Sequence, residues 1–169
     1  MFLHSLLIHP RLILKMLLLL TCANGMPVIT KDILRDRIVV PVDGHAKWVD
    51  GRPLFGASKT FRGVFFSVLA TSLCAALLGL SWKMGVLLAS VAMAGDLLSS
   101  FLKRRLNLPE GAKATGLDQV PESLFPLLAC QHALSLTVLD IILTVALFFA
   151  GELLLSRLLY RFRLRDHPY

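Results

Sequence analysis

With 56% of its 169 residues hydrophobic, only 17% charged and a mean hydropathy of +0.70, the chain carries too little polar surface for a water-soluble domain. The net charge of +7 does not point to nucleic acid, because Lys and Arg cluster beside long apolar runs, the pattern that writes membrane topology. Cys22, Cys74 and Cys130 stand singly without Cys-x-x-Cys spacing, which argues against a disulfide framework or a zinc site.

A helix that crosses about 30 Å of hydrocarbon needs roughly 20 predominantly apolar residues. The first candidate span, 11–23, is a short leucine run ending in Thr21-Cys22-Ala23, which also fits a signal-peptidase site. Arg11 and Lys15 interrupt an apolar stretch that starts at residue 1 instead of leading it, so the segment reads as a retained span. A loop over 24–63 follows, and a loop of that length without clear secondary structure is a candidate for function. It contains Asp43-Gly44 and Asp50-Gly51-Arg52, which read equally as turns or as pocket walls, and ends in Phe55-Gly56-Ala57-Ser58-Lys59-Thr60-Phe61-Arg62-Gly63. Two residues separate Gly56 from Lys59, so this is not a Walker A loop. Glycines that permit close backbone approach, with Lys59 and Arg62, nevertheless suit a triphosphate.

Residues 64–82 and 84–102 read as two spans joined by a tight turn near Ser81 and Lys83. The second is interrupted only by Asp96, and an acidic residue inside a span costs about 2.5 to 3.5 kcal/mol on insertion scales, which makes it a functional candidate. Ser99, Ser100 and Lys103 follow at three, four and seven residues, a stripe running from the carboxylate to the next basic cluster. The competing reading is a packing contact, with Gly95 and the serines as small interface residues. The 103–121 loop holds Lys103, Arg104, Arg105, Gly111 and the pair Asp118-Gln119. Asp96 and Asp118 bracket this loop, and one or two carboxylates are what proteins usually offer Mg²⁺ when phosphate oxygens complete the shell.

Residues 123–160 are too long for one crossing and fold back near Ser135 to Asp140, giving spans 122–136 and 139–160. His132 beside Gln131 reads as an interhelical hydrogen bond, Asp140 and Glu152 as the fold-back and an inward polar position, and Tyr160 with the tail arginines as interface anchors. Five spans place loops 24–63 and 103–121 and the tail (Arg157, Arg161, Arg163, Arg165) on one side, leaving only Arg11, Lys15 and Lys83 for the other. The positive-inside rule then puts the N-terminus outside and the C-terminus in the cytoplasm. The expected architecture is all-α: a single polytopic membrane domain over 1–169 with about five transmembrane helices.

Several motifs, in order, resemble the CDP-archaeol synthase family, membrane CTP-dependent cytidylyltransferases related to CDP-diacylglycerol synthase. They are Ala23-Asn24 with Pro27-Val28, Asp50-Gly51-Arg52 with Phe55-Gly56, Lys59-Thr60 with Arg62-Gly63, Gly95-Asp96, Ser100-Phe101 with Lys103-Arg104-Arg105-Leu106, and Leu117-Asp118-Gln119. The resemblance implies five transmembrane helices in the cell (inner) membrane and transfer of a cytidylyl group from CTP to a membrane lipid phosphate such as an isoprenoid glycerol-ether phosphate, releasing pyrophosphate. It implies a site on the cytoplasmic face with Mg²⁺ on Asp96 and Asp118, and Lys103 with these two as the catalytic set. Asn24, Asp50, Gly51, Arg52, Lys59, Thr60, Arg62, Ser100, Arg104 and Gln119 would then bind substrate. The sequence departs from the family at Pro121, where a second aspartate is usual and Glu122 follows, and at Ser58, where Asn is usual. The departure at Pro121 raises an alternative, a non-catalytic protein of the same fold that binds a lipid phosphate or a partner. A CDP-alcohol phosphotransferase would need spaced aspartates after Asp43-Gly44 that are absent, and a transporter would carry its polar residues near the midplane of several helices.

Overall fold

The computed structural model describes residues 7–35, 37–110, 112 and 114–161, with side chains in the last helix followed to Ser156. Gly111, Lys113, Arg163 and Arg165 lie outside the described residues, as do the side chains of Arg157, Tyr160 and Arg161. Five helices follow one another: α1 (Pro10–Leu34), α2 (Phe61–Leu77), α3 (Trp82–Arg105), α4 (Gln119–Leu134) and α5 (Val138–Arg161). Among the described residues there is no strand, only the isolated antiparallel bridges Pro41 to Thr60 and Lys47 to Pro53. By length and composition α1, α3 and α5 are able to cross a membrane, and α2 is a shorter apolar helix.

Helix α1 starts with Pro10 in its first turn, where a missing N–H costs nothing, and continues past Ala23 to Leu34, so the loop that follows opens at residue 35. Pro27 does not break it. Proline deprives the carbonyl four residues back, that of Ala23, of its helical donor, and the Ser67 hydroxyl of α2 donates to that carbonyl at 2.7 Å. The same device recurs at Pro121 in the first turn of α4, where the freed carbonyl of Leu117 accepts from the Ser99 hydroxyl of α3 at 2.7 Å. In an apolar medium a bare carbonyl is expensive, so each serine both licenses a proline and ties two helices together.

The helices pack through small residues. A Cβ on Gly85 would lie 2.5 Å from Ser72 Cα, and one on Gly95 would lie 2.5 Å from the Pro121 carbonyl oxygen, so α2 and α4 rest on the α3 backbone itself. Between them Met16, Leu19, Leu20, Leu88, Leu127 and Phe148 fill the core. Neighbouring helices alternate in direction, which brings the 35–60 and 106–118 loops to one end. The turn between α2 and α3 runs from Leu78 to Ser81, and that between α4 and α5 passes through Ser135, whose left-handed backbone (φ 52, ψ 39) makes the reversal without glycine or proline. At this second end Asp140 accepts from the His9 backbone N–H, pairs with the His9 ring at 2.8 Å, and accepts from the Thr137 N–H, pinning the start of α5 to the start of α1.

Candidate functional site

The 35–60 segment is built around Asp43. Its carboxylate accepts the N–H groups of Phe55, Gly56 and His45, each at 3.0 Å. Burial works against the charge, but these backbone donors outweigh it and hold the Asp43 carboxyl below its ordinary value. Gly56 requires glycine twice over, because its φ is +100° and a Cβ there would lie 2.7 Å from Glu110 Oε1. Asp43-Gly44 and Asp50-Gly51 both form turns, with Asp50 accepting from the Arg52 N–H at 3.1 Å. The Val42 N–H to Lys59 carbonyl and Phe61 N–H to Val40 carbonyl bonds bring the segment's two ends together at Thr60, whose hydroxyl caps α2 at the Gly63 N–H.

The tip of the segment latches onto the C-terminal end of α3. The Arg52 guanidinium donates to the Arg105 and Arg104 carbonyls at 2.9 and 3.3 Å, filling the acceptors that a helix end leaves open. Arg105 pairs with Asp50 at 2.6 Å, donates to the Pro53 carbonyl and stands 5.0 Å over the Phe101 ring, against which Trp48 packs edge-on. Arg62 donates to the Arg37 carbonyl and Arg104 to the Pro109 carbonyl, so three of the expected phosphate-binding arginines spend donors on the loops. The Nε atom of Arg104 is buried and unpartnered, as are both polar atoms of the Asn24 side chain.

Inside this frame lie two lysine–carboxylate pairs. Lys59 Nζ lies 2.6 Å from both oxygens of Asp96, and Lys103 Nζ lies 2.7 Å from Asp118 Oδ1 while also donating to the Ala112 carbonyl. Asp118 accepts the Ala114 N–H at the start of α4, where Gln119 accepts the Gly116 N–H. Ser100 is buried in α3 one turn beyond Asp96. Glu122 on the first turn of α4 is buried and within electrostatic reach of Glu152, Asp96, Lys59 and Asp118. Among the described residues no group of three or more His, Cys, Asp or Glu is assembled closely enough to hold a metal unaided.

A cavity of about 460 Å³ opens beside the Lys59–Asp96 pair, lined on one side by Lys31 and Asp32 of α1 with Arg35 just after it, and on the other by Arg62, Val64, Met93 and Leu97. Sequence reasoning placed Lys59, Thr60, Arg62 and Asp96 here but missed the α1 residues. Their signal was a Lys-Asp-x-x-Arg turn after an apolar run, legible only once α1 is known to reach that far.

Fold and site together define an all-helical membrane protein with two lysine–carboxylate pairs where its loops meet α3. A family profile described as CarS-like: CDP-archaeol synthase matches residues 81–169. The chain is 35% identical over 135 residues to the CDP-archaeol synthase of Sulfurisphaera tokodaii, covering 76% of this chain and 81% of that protein. It is 33% identical over 152 residues to that of Pyrobaculum calidifontis (87% and 90%), and 44% over 107 residues to that of Pyrococcus furiosus (57% and 60%). A solved structure of an intramembrane enzyme for archaeal membrane lipids biosynthesis superposes with a TM-score of 0.64 at 29% identity, covering 82% of this chain and 90% of that one. The chain belongs to the CDP-archaeol synthase family, and it is a membrane cytidylyltransferase that carries out CTP-dependent cytidylyl transfer to a lipid.

Proposed function

We propose that the acceptor is the phosphate of an isoprenoid glycerol-ether lipid or a close analogue, and that the reaction runs on the cytoplasmic face with Mg²⁺. An oxygen of the lipid phosphate attacks the α-phosphorus of CTP in line, the bond from that phosphorus to the bridging oxygen breaks, and pyrophosphate leaves with the electron pair. No protein nucleophile is needed, so the enzyme's work is positioning and charge neutralisation. The observation that carries the reading is the pairing of Lys59 with Asp96 beside the cavity, with a second such pair, Lys103 with Asp118, joining the end of α3 to the start of α4. The pairs are matched for exchange: an arriving triphosphate takes the lysines, and the freed carboxylates turn to the cation that accompanies it. The residues present fit such an ion, since Mg²⁺ is commonly held by one or two carboxylates plus phosphate oxygens, and Asp96 and Asp118 supply that number. When bound, the ion neutralises charge building on the triphosphate.

Lys103 and Lys59 then neutralise phosphate oxygens, with Arg62 and the unpartnered Nε of Arg104 as further donors. Asn24, with its amide buried and unpartnered, is a donor and acceptor awaiting a ligand. Thr60 and the Asp50-Gly51 turn with Arg52 hold the pocket wall, while Ser100 and Gln119 set the α3–α4 floor. We read the helices as five crossings with the N-terminus outside, supported by the clustering of Lys and Arg, so that this end meets CTP in the cytoplasm while the acceptor stays in the bilayer.

The test is pyrophosphate release by the detergent-purified protein given CTP, Mg²⁺ and a panel of ether- and ester-lipid phosphates. Release with an ether-lipid phosphate supports the reading. Silence with every acceptor, beside an active relative, favours a lipid-phosphate-binding protein without turnover, the reading to which the departure at Pro121 points.

A further inference from the structure

The α1 side of the cavity carries charge that the rest of the protein does not use. Lys31 and Arg35 line it one helical turn apart with Asp32 beside them, and the Arg35 N–H bonds to the Lys31 carbonyl at 2.9 Å. The ion pairs among the described residues draw on His9, Lys59, Lys103 and Arg105, so neither Lys31 nor Arg35 is committed to a protein carboxylate there. Across the cavity Lys59 is bound to both oxygens of Asp96. Four cations, Lys31, Arg35, Lys59 and Arg62, thus meet two carboxylates, Asp32 and Asp96. The excess of two positive charges matches a phosphate monoester, which carries about −1.5 to −2 near neutral pH.

This wall is tied in place and set at a particular depth. The chain leaves α1 through Arg35 with a left-handed backbone (φ 44), and the Arg37 N–H bonds back to the Leu34 carbonyl at 2.8 Å. Arg62 of α2 donates to the Arg37 carbonyl, which fastens the end of α1 to the cavity's other side. At about 1.5 Å per residue Lys31 lies roughly 31 Å along α1 from Pro10, close to the ~30 Å thickness of bilayer hydrocarbon. That is the depth at which a lipid carries its phosphate. Ile29, Ile33, Ile38 and Val39 flank the two cations in the chain and are exposed, and Val39 lines the cavity together with Val64, Met93 and Leu97. A triphosphate gains nothing from an apolar margin, whereas a lipid phosphate arrives with its chains beside its charge.

We propose that Lys31 and Arg35 are the clamp for the phosphate of the lipid acceptor, holding it on the α1 side of the cavity against the nucleotide held on the Lys59 side. This rests on the function proposed above and divides its site: α1 takes the acceptor, while α2, α3 and the loop before α2 take CTP. Asp32 tempers the positive charge of the α1 side, which suits a monoester better than a triphosphate.

The test uses the full-length protein in detergent micelles with a radiolabelled dialkylglycerol-ether phosphate as the probe. Its affinity is read by equilibrium retention, and pyrophosphate release is followed in parallel. The double variant Lys31→Gln, Arg35→Gln is expected to bind the probe about tenfold or more weakly and to raise KM for the lipid phosphate by a similar factor, while KM for CTP stays within about twofold of wild type. Equal affinity for the probe in wild type and double variant would overturn the proposal. So would an equal rise in both KM values, which assigns the pair to the triphosphate, or a matching loss of affinity for phosphatidylglycerol, which makes the pair a general contact for anionic headgroups. Both side chains are exposed, so the unfolding temperature is expected to hold. If the double variant fails to fold, Lys31→Gln alone carries the comparison, with binding about threefold weaker expected and unchanged affinity counting against the role. Wild-type protein that binds the probe through this pair yet transfers no cytidylyl group to any lipid phosphate would sink the proposed function alone. Transfer by a double variant whose lipid affinity is unaltered would sink only the clamp.

Discussion

Lys59 Nζ sits 2.6 Å from both carboxylate oxygens of Asp96, joining the last residues of the long loop to the C-terminal half of α3. The pair is about one-quarter exposed on each side, so it is open to a ligand without being freely hydrated. Such a pair stabilises the free protein only modestly, which leaves both partners available when a nucleotide arrives.

Asp96→Asn is therefore expected to lower turnover by about 100-fold or more while the unfolding temperature moves little, since the amide still accepts from Lys59. Lys59→Met is expected to raise KM for CTP as well. Pyrophosphate release measured over a range of CTP concentrations separates the two effects, and unaltered turnover in Asp96→Asn would remove Asp96 from the site.

Gly95→Ala forces a methyl group into the Pro121 carbonyl, a backbone atom that has no rotamer by which to retreat. Expected is a loss of about 1 to 3 kcal/mol in stability, together with reduced turnover as the first turn of α4 moves off α3. Gly151→Ala is the control, because a Cβ there meets nothing within 4 Å. Thermal unfolding of both in the same detergent decides the matter: equal midpoints would show that the α3–α4 junction is looser than described.

Ser67→Ala strips the Ala23 carbonyl of the donor that replaces the missing N–H of Pro27. A drop of about 1 to 3 kcal/mol is expected, the cost of a buried acceptor left bare. Pairing the change with Pro27→Ala restores a helical N–H at that position. The double variant should recover most of the loss, and failure to recover would separate the serine from the proline.

Asp43 predicts an acid limit for loop order. Its folded carboxyl lies below the ordinary value of 3.8, so its stabilising contribution is fully present above that value and is lost as pH falls through the lower, folded one. Trp48, on the same loop and packed against Phe101, reports this by fluorescence. A titration from about pH 6 downward should show the Trp48 signal changing only at a midpoint below the ordinary carboxylate range. Asp43→Asn should display the loosened signal already at neutral pH, and an unchanged spectrum would dissociate Asp43 from loop order.

Much of the architecture was legible in one dimension. Apolar run length marked the helices, and the grouping of Lys and Arg marked the end at which loops 35–60 and 106–118 meet. The fold-back at 135–140 was found from length alone, although its left-handed hinge at Ser135 carries no glycine signal. The reach of α1 was not legible, because the leucine run stops at Ala23 and the donor that compensates for Pro27 comes from Ser67, forty residues on in another helix. Nor was the division of labour among the arginines: Arg52 and Arg104 were expected to bind substrate, yet their fork-shaped donors meet the Arg105 and Pro109 carbonyls.

By itself the sequence determined that this is an all-helical membrane chain whose basic residues cluster in the loops, since hydropathy and charge are summed along the chain and need no partner. Only the tertiary structure decided that Asp96 is held by Lys59, that Asp118 is held by Lys103, and that the first turn of α4 rests on α3 at Gly95. Those relationships depend on helices approaching to backbone contact at Gly85 and Gly95, and a distance between helices is not a property of any one of them.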